Sequence, residues 1–120
     1  MKGVFAGLMA MAWAAGAMAD GNALLAQCQV ALKAMDEDVS QGTTFDAGIC
    51  LGKVSTVIDM MQGLRDDLPP KYKVCLPEQG IQYGQGIRIV TKYLNEHPKF
   101  LHLDDTILIM KALQTSYPCR

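Results

Sequence analysis

Cys28, Cys50, Cys75 and Cys119 offer the most chemistry in this 120-residue chain. Thiols can pair as disulfides, hold a metal or exchange with other thiols, and spacing separates these uses. The chain has no Cys-x-x-Cys, the spacing shared by redox exchange and zinc knuckles, and no Cys-x-x-Cys-His for haem attachment. In an exported protein an even number of cysteines makes two structural disulfides the default reading. Metal binding, free thiols and intermolecular bridges are the alternatives. A second set is His97 and His102 beside Asp104 and Asp105. Two histidines and two aspartates could ligate zinc, but this spacing is not diagnostic of it. His97 stands before Pro98, where an imidazole at a helix C-terminus meets the negative end of the helix dipole. Capping is the simpler reading for it, and His102 falls in the turn that follows. Ser116 is the nucleophile candidate, yet no base is arranged with it and there is no Gly-x-Ser-x-Gly elbow. These residues point away from an enzyme, and no cofactor motif or metal set stands out.

Export is read from the N-terminus. Lys2 is the only charge before Asp20, and the run Gly3 to Ala19 between them is apolar and uncharged. It closes on Ala17-Met18-Ala19, a small-x-small pattern that suits signal peptidase. A membrane anchor is the competing reading, but the run falls short of the roughly 20 apolar residues a spanning helix needs. Residues 1–19 are therefore expected to be a cleaved signal, and residues 20–120 a single mature domain of about 100 residues. No cysteine lies at the cleavage position, which argues against a lipoprotein. Removing Lys2 from the 11 Lys and Arg leaves ten against 12 Asp and Glu, a mature net charge of about −2. Nucleic acid and anionic membranes both select a basic face, so neither is expected as a partner.

The elements that must position the cysteines read as helices throughout. Leu24, Cys28, Leu32 and Met35 recur at intervals of four and three, one apolar stripe of a first helix, with Asn22 as its expected N-cap. Asp36, Glu37 and Asp38 are unfavourable at a helix C-terminus. The helix either stops before them or turns them to solvent or a partner. A second helix starts near Thr43 or Thr44. Phe45, Ile49, Gly52 and Thr56 lie on one side of it, and Val57, Met60, Met61 and Leu64 continue the apolar surface. Gly48 and Gly52, four apart, either admit another backbone closely or are tolerated locally. Pro69-Pro70 sets its latest end. A third helix is expected over about Tyr83 to Glu96, with Ile87, Val90 and Leu94 as its main stripe and Ile89 and Tyr93 flanking. A fourth runs over about Asp104 to Ser116, with Leu103, Ile107, Met110 and Leu113. There is no convincing strand alternation. The expected fold is all-α, a small four-helix bundle-like domain with two disulfides.

Cys75 lies just before the third helix and Cys119 just after the fourth. Helices joined by a short connection run antiparallel, so a Cys75–Cys119 bond would close this hairpin at its open end. Cys28–Cys50 would then bridge the first two helices. Between the halves, Arg65 to Gln82 reads as a long connection, and loops of that length are uncommon without a function. It is either a protruding contact surface tethered by Cys75 or a solvated linker. On the first reading Arg65, Asp66, Asp67, Tyr72 and Lys73 are the candidate partner-binding residues. Arg and Tyr are the types favoured at binding hot spots.

A family resemblance runs along these same residues. It is carried by Cys75-Leu76-Pro77-Glu78, Gly84-Gln85, Ile89-Val90-x-Lys92-Tyr93-Leu94-x-x-His97-Pro98, Leu101-His102, Ala112-Leu113 and Tyr117-Pro118-Cys119. Upstream, Gly21-Asn22-x-Leu24-Leu25-x-x-Cys28 and Cys50-x-Gly52 fit the same pattern. The mature chain resembles the Rap/Tai family of type VI secretion amidase immunity proteins. Lys53 departs from the aromatic residue often found after Cys-x-Gly, and Gln82 from the Thr common at the start of the third helix. The resemblance implies a periplasmic helical protein that binds a peptidoglycan amidase effector and blocks its substrate groove, with no cofactor. It also implies a homodimer. A different class fits the composition as well: a periplasmic helical chaperone or stress protein without a toxin partner, opened by acid. Two disulfides oppose the opening that role requires.

Overall fold

The computed structural model describes residues 19–37 and 44–120. The expected signal segment up to Met18, and the stretch from Asp38 to Thr43, lie outside the described residues. Among the described residues four α-helices form: α1 (Gly21–Glu37), α2 (Thr44–Gly63), α3 (Tyr83–Glu96) and α4 (Asp105–Ser116). The fold is all-α and carries both expected disulfides. Cys28–Cys50 joins α1 to α2 with a Cα separation of 5.1 Å, and Cys75–Cys119 closes the α3–α4 hairpin at 5.0 Å.

Helix α3 packs against each of the other three helices. Its stripe Ile87, Val90 and Leu94 is fully buried, as the spacing predicts. Gly86 completes that face. A β-carbon there would lie 2.5 Å from Ile58 Cδ1 and 3.2 Å from Val54 Cγ1, so the side chains of α2 occupy the space this glycine leaves. The rest of the core comes from Leu24, Cys28 and Ala31 of α1, from Cys50, Val54, Val57, Ile58 and Met61 of α2, and from Leu108, Ile109, Ala112 and Leu113 of α4.

Three stripes differ from expectation. Helix α2 buries Cys50, Val54, Ile58 and Met61, whereas Phe45, Gly52, Thr56, Met60 and Leu64 of the expected face are exposed. The helix is apolar nearly all round, so periodicity does not say which side turns inward; the buried Cys28–Cys50 bond does. In α4 Ile107 is exposed and Leu108 and Ile109 take the core positions. Met35 of α1 is also exposed, with Ala31 buried in its place.

The caps explain several helix ends. Asp20, not Asn22, caps α1: its carboxylate accepts from Ala23 N–H at 3.0 Å, and the Asn22 amide donates to Leu101 O instead. Asp104 caps α4 by accepting from Ile107 N–H at 3.2 Å. Ala19 to Gly21 pair with Leu103 to Asp105 as an isolated antiparallel bridge, through Gly21 N–H to Leu103 O and Asp105 N–H to Ala19 O. His97 closes α3. Its Nδ1 lies 2.7 Å from Tyr93 O, and its ring stacks at 4.1 Å on Tyr93 and at 5.8 Å on Phe100.

Asp36, in the last turn of α1, faces a cation. Asp36 accepts from Arg88 of α3 at 2.6 Å. That hydrogen bond, with the guanidinium charge, holds the Asp36 carboxyl below its ordinary value of 3.8. Asp105 is buried and pairs with Lys53 of α2. Lys53, at the position where the resemblance leads one to look for an aromatic, thus fastens α2 to the first turn of α4.

Candidate partner-binding surface

The connection from α2 to α3 is anchored from beneath and exposed above. Leu64 N–H continues the helical ladder to Met60 O, and Asp67 and Leu68 N–H both donate to Leu64 O. Pro69 and Pro70 then start a short 3-10 turn, Pro70–Tyr72, where the missing proline donor costs nothing. Below it, the Gln114 amide of α4 donates to Lys71 O at 2.9 Å and to Lys73 O at 3.1 Å. Val74 is buried in the core, and Cys75 N–H donates to Tyr117 O at 2.9 Å. A tight turn follows, with Gly80 N–H bonded to Pro77 O and Gly80 at φ 75°, a left-handed conformation that favours glycine.

The five candidate residues divide on this frame. Arg65, Asp66 and Lys73 line one polar recess of about 280 Å³ together with Gln62, Val74, Leu76 and the Cys75–Cys119 bridge. Asp67 and Tyr72 do not line it. Tyr72 is 38 % exposed on the 3-10 turn, and Lys71 Nζ sits 4.7 Å above its ring. The surface therefore offers a cationic and acidic recess beside an aromatic residue backed by a lysine. The bridge and Gln62 belong to the same recess, and sequence spacing did not point to Gln62. Its amide also packs against Gly80.

A second surface is apolar. Phe45 and Met60 of α2, Leu64 just beyond its end and Ile107 of α4 are exposed, and Leu51 is exposed on the opposite side of α2. Gly48 and Gly52 lie among them, and a β-carbon at either would meet nothing within 4 Å. The close backbone approach that their spacing suggested is not made inside this chain. Tyr83 O–H, at the edge of α2 and α3, donates to the Asp59 carboxylate at 2.9 Å, which raises the phenol above its ordinary value of 10.0.

The chemical candidates are placed in structural roles or apart. His97 caps and stacks, as above. His102 and Ser116 are exposed. Among the described residues no group of three His, Cys, Asp or Glu side chains could hold a metal ion. Among them, too, no helix is long and apolar enough to cross a membrane.

No curated protein and no solved structure matches the chain. The family model of the Rap1a immunity proteins matches residues 20–119, from the bridge that fixes the start of α1 to the second cysteine of the terminal disulfide. This four-helix, doubly cross-linked chain belongs to the Rap1a immunity protein family.

Proposed function

We propose that this protein is exported to the periplasm after removal of residues 1–19, and there binds and inhibits a type VI secretion peptidoglycan amidase. It acts by binding, without catalysis or cofactor. The observation that carries the reading is the family match across residues 20–119. The contact surface we assign is the connection bearing Arg65, Asp66, Asp67, Tyr72 and Lys73. A segment fixed from below by Val74, Gln114 and Cys75 loses little conformational freedom on binding, which favours affinity. Tyr72 and Arg65 supply the rigid aromatic and the planar cation that dominate interface energetics. The apolar face of α2 we assign to a second copy of the chain. Phe45, Gly52 and Met60 are spaced nearly symmetrically along the helix, so an antiparallel pairing about Gly52 sets each Phe45 near the partner's Met60.

The test is inhibition of a peptidoglycan amidase encoded beside this chain's gene. The purified mature protein should form a stable complex with it and abolish its cleavage of cell-wall peptides. Tyr72→Ala with Arg65→Ala should weaken the complex at least tenfold with the helical circular dichroism unchanged. If no neighbouring amidase binds, the inhibitor reading is lost and the family fold alone stands.

A further inference from the structure

The two disulfides sit in opposite environments. Cys28 and Cys50 are fully buried in the core between α1 and α2. Cys75 and Cys119 are both exposed, and they line the polar recess with Arg65, Asp66 and Lys73. We propose that Cys75–Cys119 is a selectively reducible latch on the α2–α3 connection, opened by a dithiol while Cys28–Cys50 and the helical core stay intact. The inference rests on the connection being the contact surface only for its consequence, not for the exchange itself.

Thiol–disulfide exchange needs an attacking thiolate to reach a sulfur, and exposed bridges are the labile ones. The recess meets that need, whereas no thiolate reaches the buried bridge without opening the core. Arg65 and Lys73 outnumber Asp66 among the recess charges, which favours both an incoming thiolate and a departing one. The step balances. One thiolate of the dithiol attacks a sulfur of the bridge and forms a mixed disulfide, and the other cysteine leaves as thiolate. The second thiol of the reductant then attacks the mixed disulfide and frees the first cysteine. Two electrons pass to the protein, the dithiol is oxidised to its own disulfide, and its two protons go to Cys75 and Cys119.

Position decides what reduction releases. Cys119 lies three residues beyond the end of α4 at Ser116, so freeing it removes the tie without cutting into the helix. The connection then keeps Val74 in the core, Leu76 and Ile81 packed against it, the Gln114 amide on the Lys71 and Lys73 carbonyls, and Cys75 N–H on Tyr117 O. The exposed stretch before Val74 is tied to the bundle through the Gln114 amide, so its fluctuations grow once the bond just beyond it opens, while the bundle keeps Cys28–Cys50.

Dithiothreitol titration of the native mature protein tests this. Differential alkylation and mass spectrometry should show Cys75 and Cys119 labelled at reductant concentrations at least tenfold below those that label Cys28 and Cys50. Over that interval, trypsin should cut after Lys71 or Lys73 at least fivefold faster, with the helical circular dichroism unchanged. The C75S/C119S variant should reproduce the faster cleavage without reductant. Simultaneous labelling of all four cysteines, or an unchanged cleavage rate in the singly reduced protein, would overturn the proposal. Both readouts are independent of any effector. An absent effector complex therefore refutes the proposed function and leaves the latch standing.

Discussion

Asp105 and Lys53 show how one side chain can carry more than its neighbours suggest. Asp105 is almost wholly buried, while the Lys53 side chain is 34 % exposed. Removing the lysine strands a carboxylate in the core, whereas removing the charge from Asp105 leaves a lysine that reaches water. Lys53→Ala should therefore cost about 2 kcal/mol in urea unfolding, below the 3–5 kcal/mol of fully buried pairs, and Asp105→Asn only about 1 kcal/mol. Equal losses would mean that the pair is solvated. Gly21 is constrained as tightly. A β-carbon there would meet Leu108 Cδ1 and approach Leu101 O to 2.9 Å. Gly21→Ala should destabilise by about 2 kcal/mol through a backbone that cannot yield, read as a lower denaturation midpoint. The sequence marks neither residue for such a part: Asp105 stands out only as one of four possible metal ligands, and Gly21 only within the family resemblance. Their partners lie 52 and 87 residues away, and no local pattern records a contact at that distance.

At the scale of elements, α2 separates propensity from assembly. Gly48 and Gly52 have open space where a β-carbon would go. Gly52→Ala should raise the stability of the single chain by up to about 1 kcal/mol through helix propensity. If α2 pairs with a second copy across this glycine, the same change weakens self-association, measurable by sedimentation. A stabilised variant with unchanged association would refute the α2 interface. The α1–α3 tie is electrostatic. Because the Asp36 carboxyl is held below 3.8 in the folded chain, its contribution is present above that value and is lost as pH falls through the lowered one. Both partners are half exposed, so the contribution is small and screened by salt. Arg88→Ala should return the Asp36 titration, followed by NMR, to the ordinary carboxylate range. Helix α3 was legible from spacing because its polar face is clean. Helix α2 was not, because apolar residues surround it.

For the whole molecule the disulfides set the order of stability. Loop-closure entropy alone favours the longer Cys75–Cys119 loop, about 4 kcal/mol against about 3 for Cys28–Cys50. Replacement by serine reverses that order. C28S/C50S puts two hydroxyls into an apolar core as well as removing the bond, whereas C75S/C119S leaves its hydroxyls in solvent. Thermal unfolding of the two double variants should therefore show the larger loss for C28S/C50S. The inverse ranking would mean that chain entropy dominates. The same asymmetry divides the protein into a permanently stapled core and an exposed connection held at its downstream end by a reachable bond.

The helical class, four helices, both pairings, the ends of α3 and the family were determined by the sequence itself. Caps, prolines, cysteine spacing and residue order are local signals, and antiparallel neighbours follow from short connections. Tertiary structure alone decided which side of α2 is buried, that Ile107 faces out, that Lys53 meets Asp105, and that Arg65, Asp66 and Lys73 gather around one bridge while Asp67 and Tyr72 stand apart. Each depends on the rotation of one helix against another. That rotation is fixed by packing at Gly86 and by the buried Cys28–Cys50 bond, and neither can be read from the periodicity of a single segment.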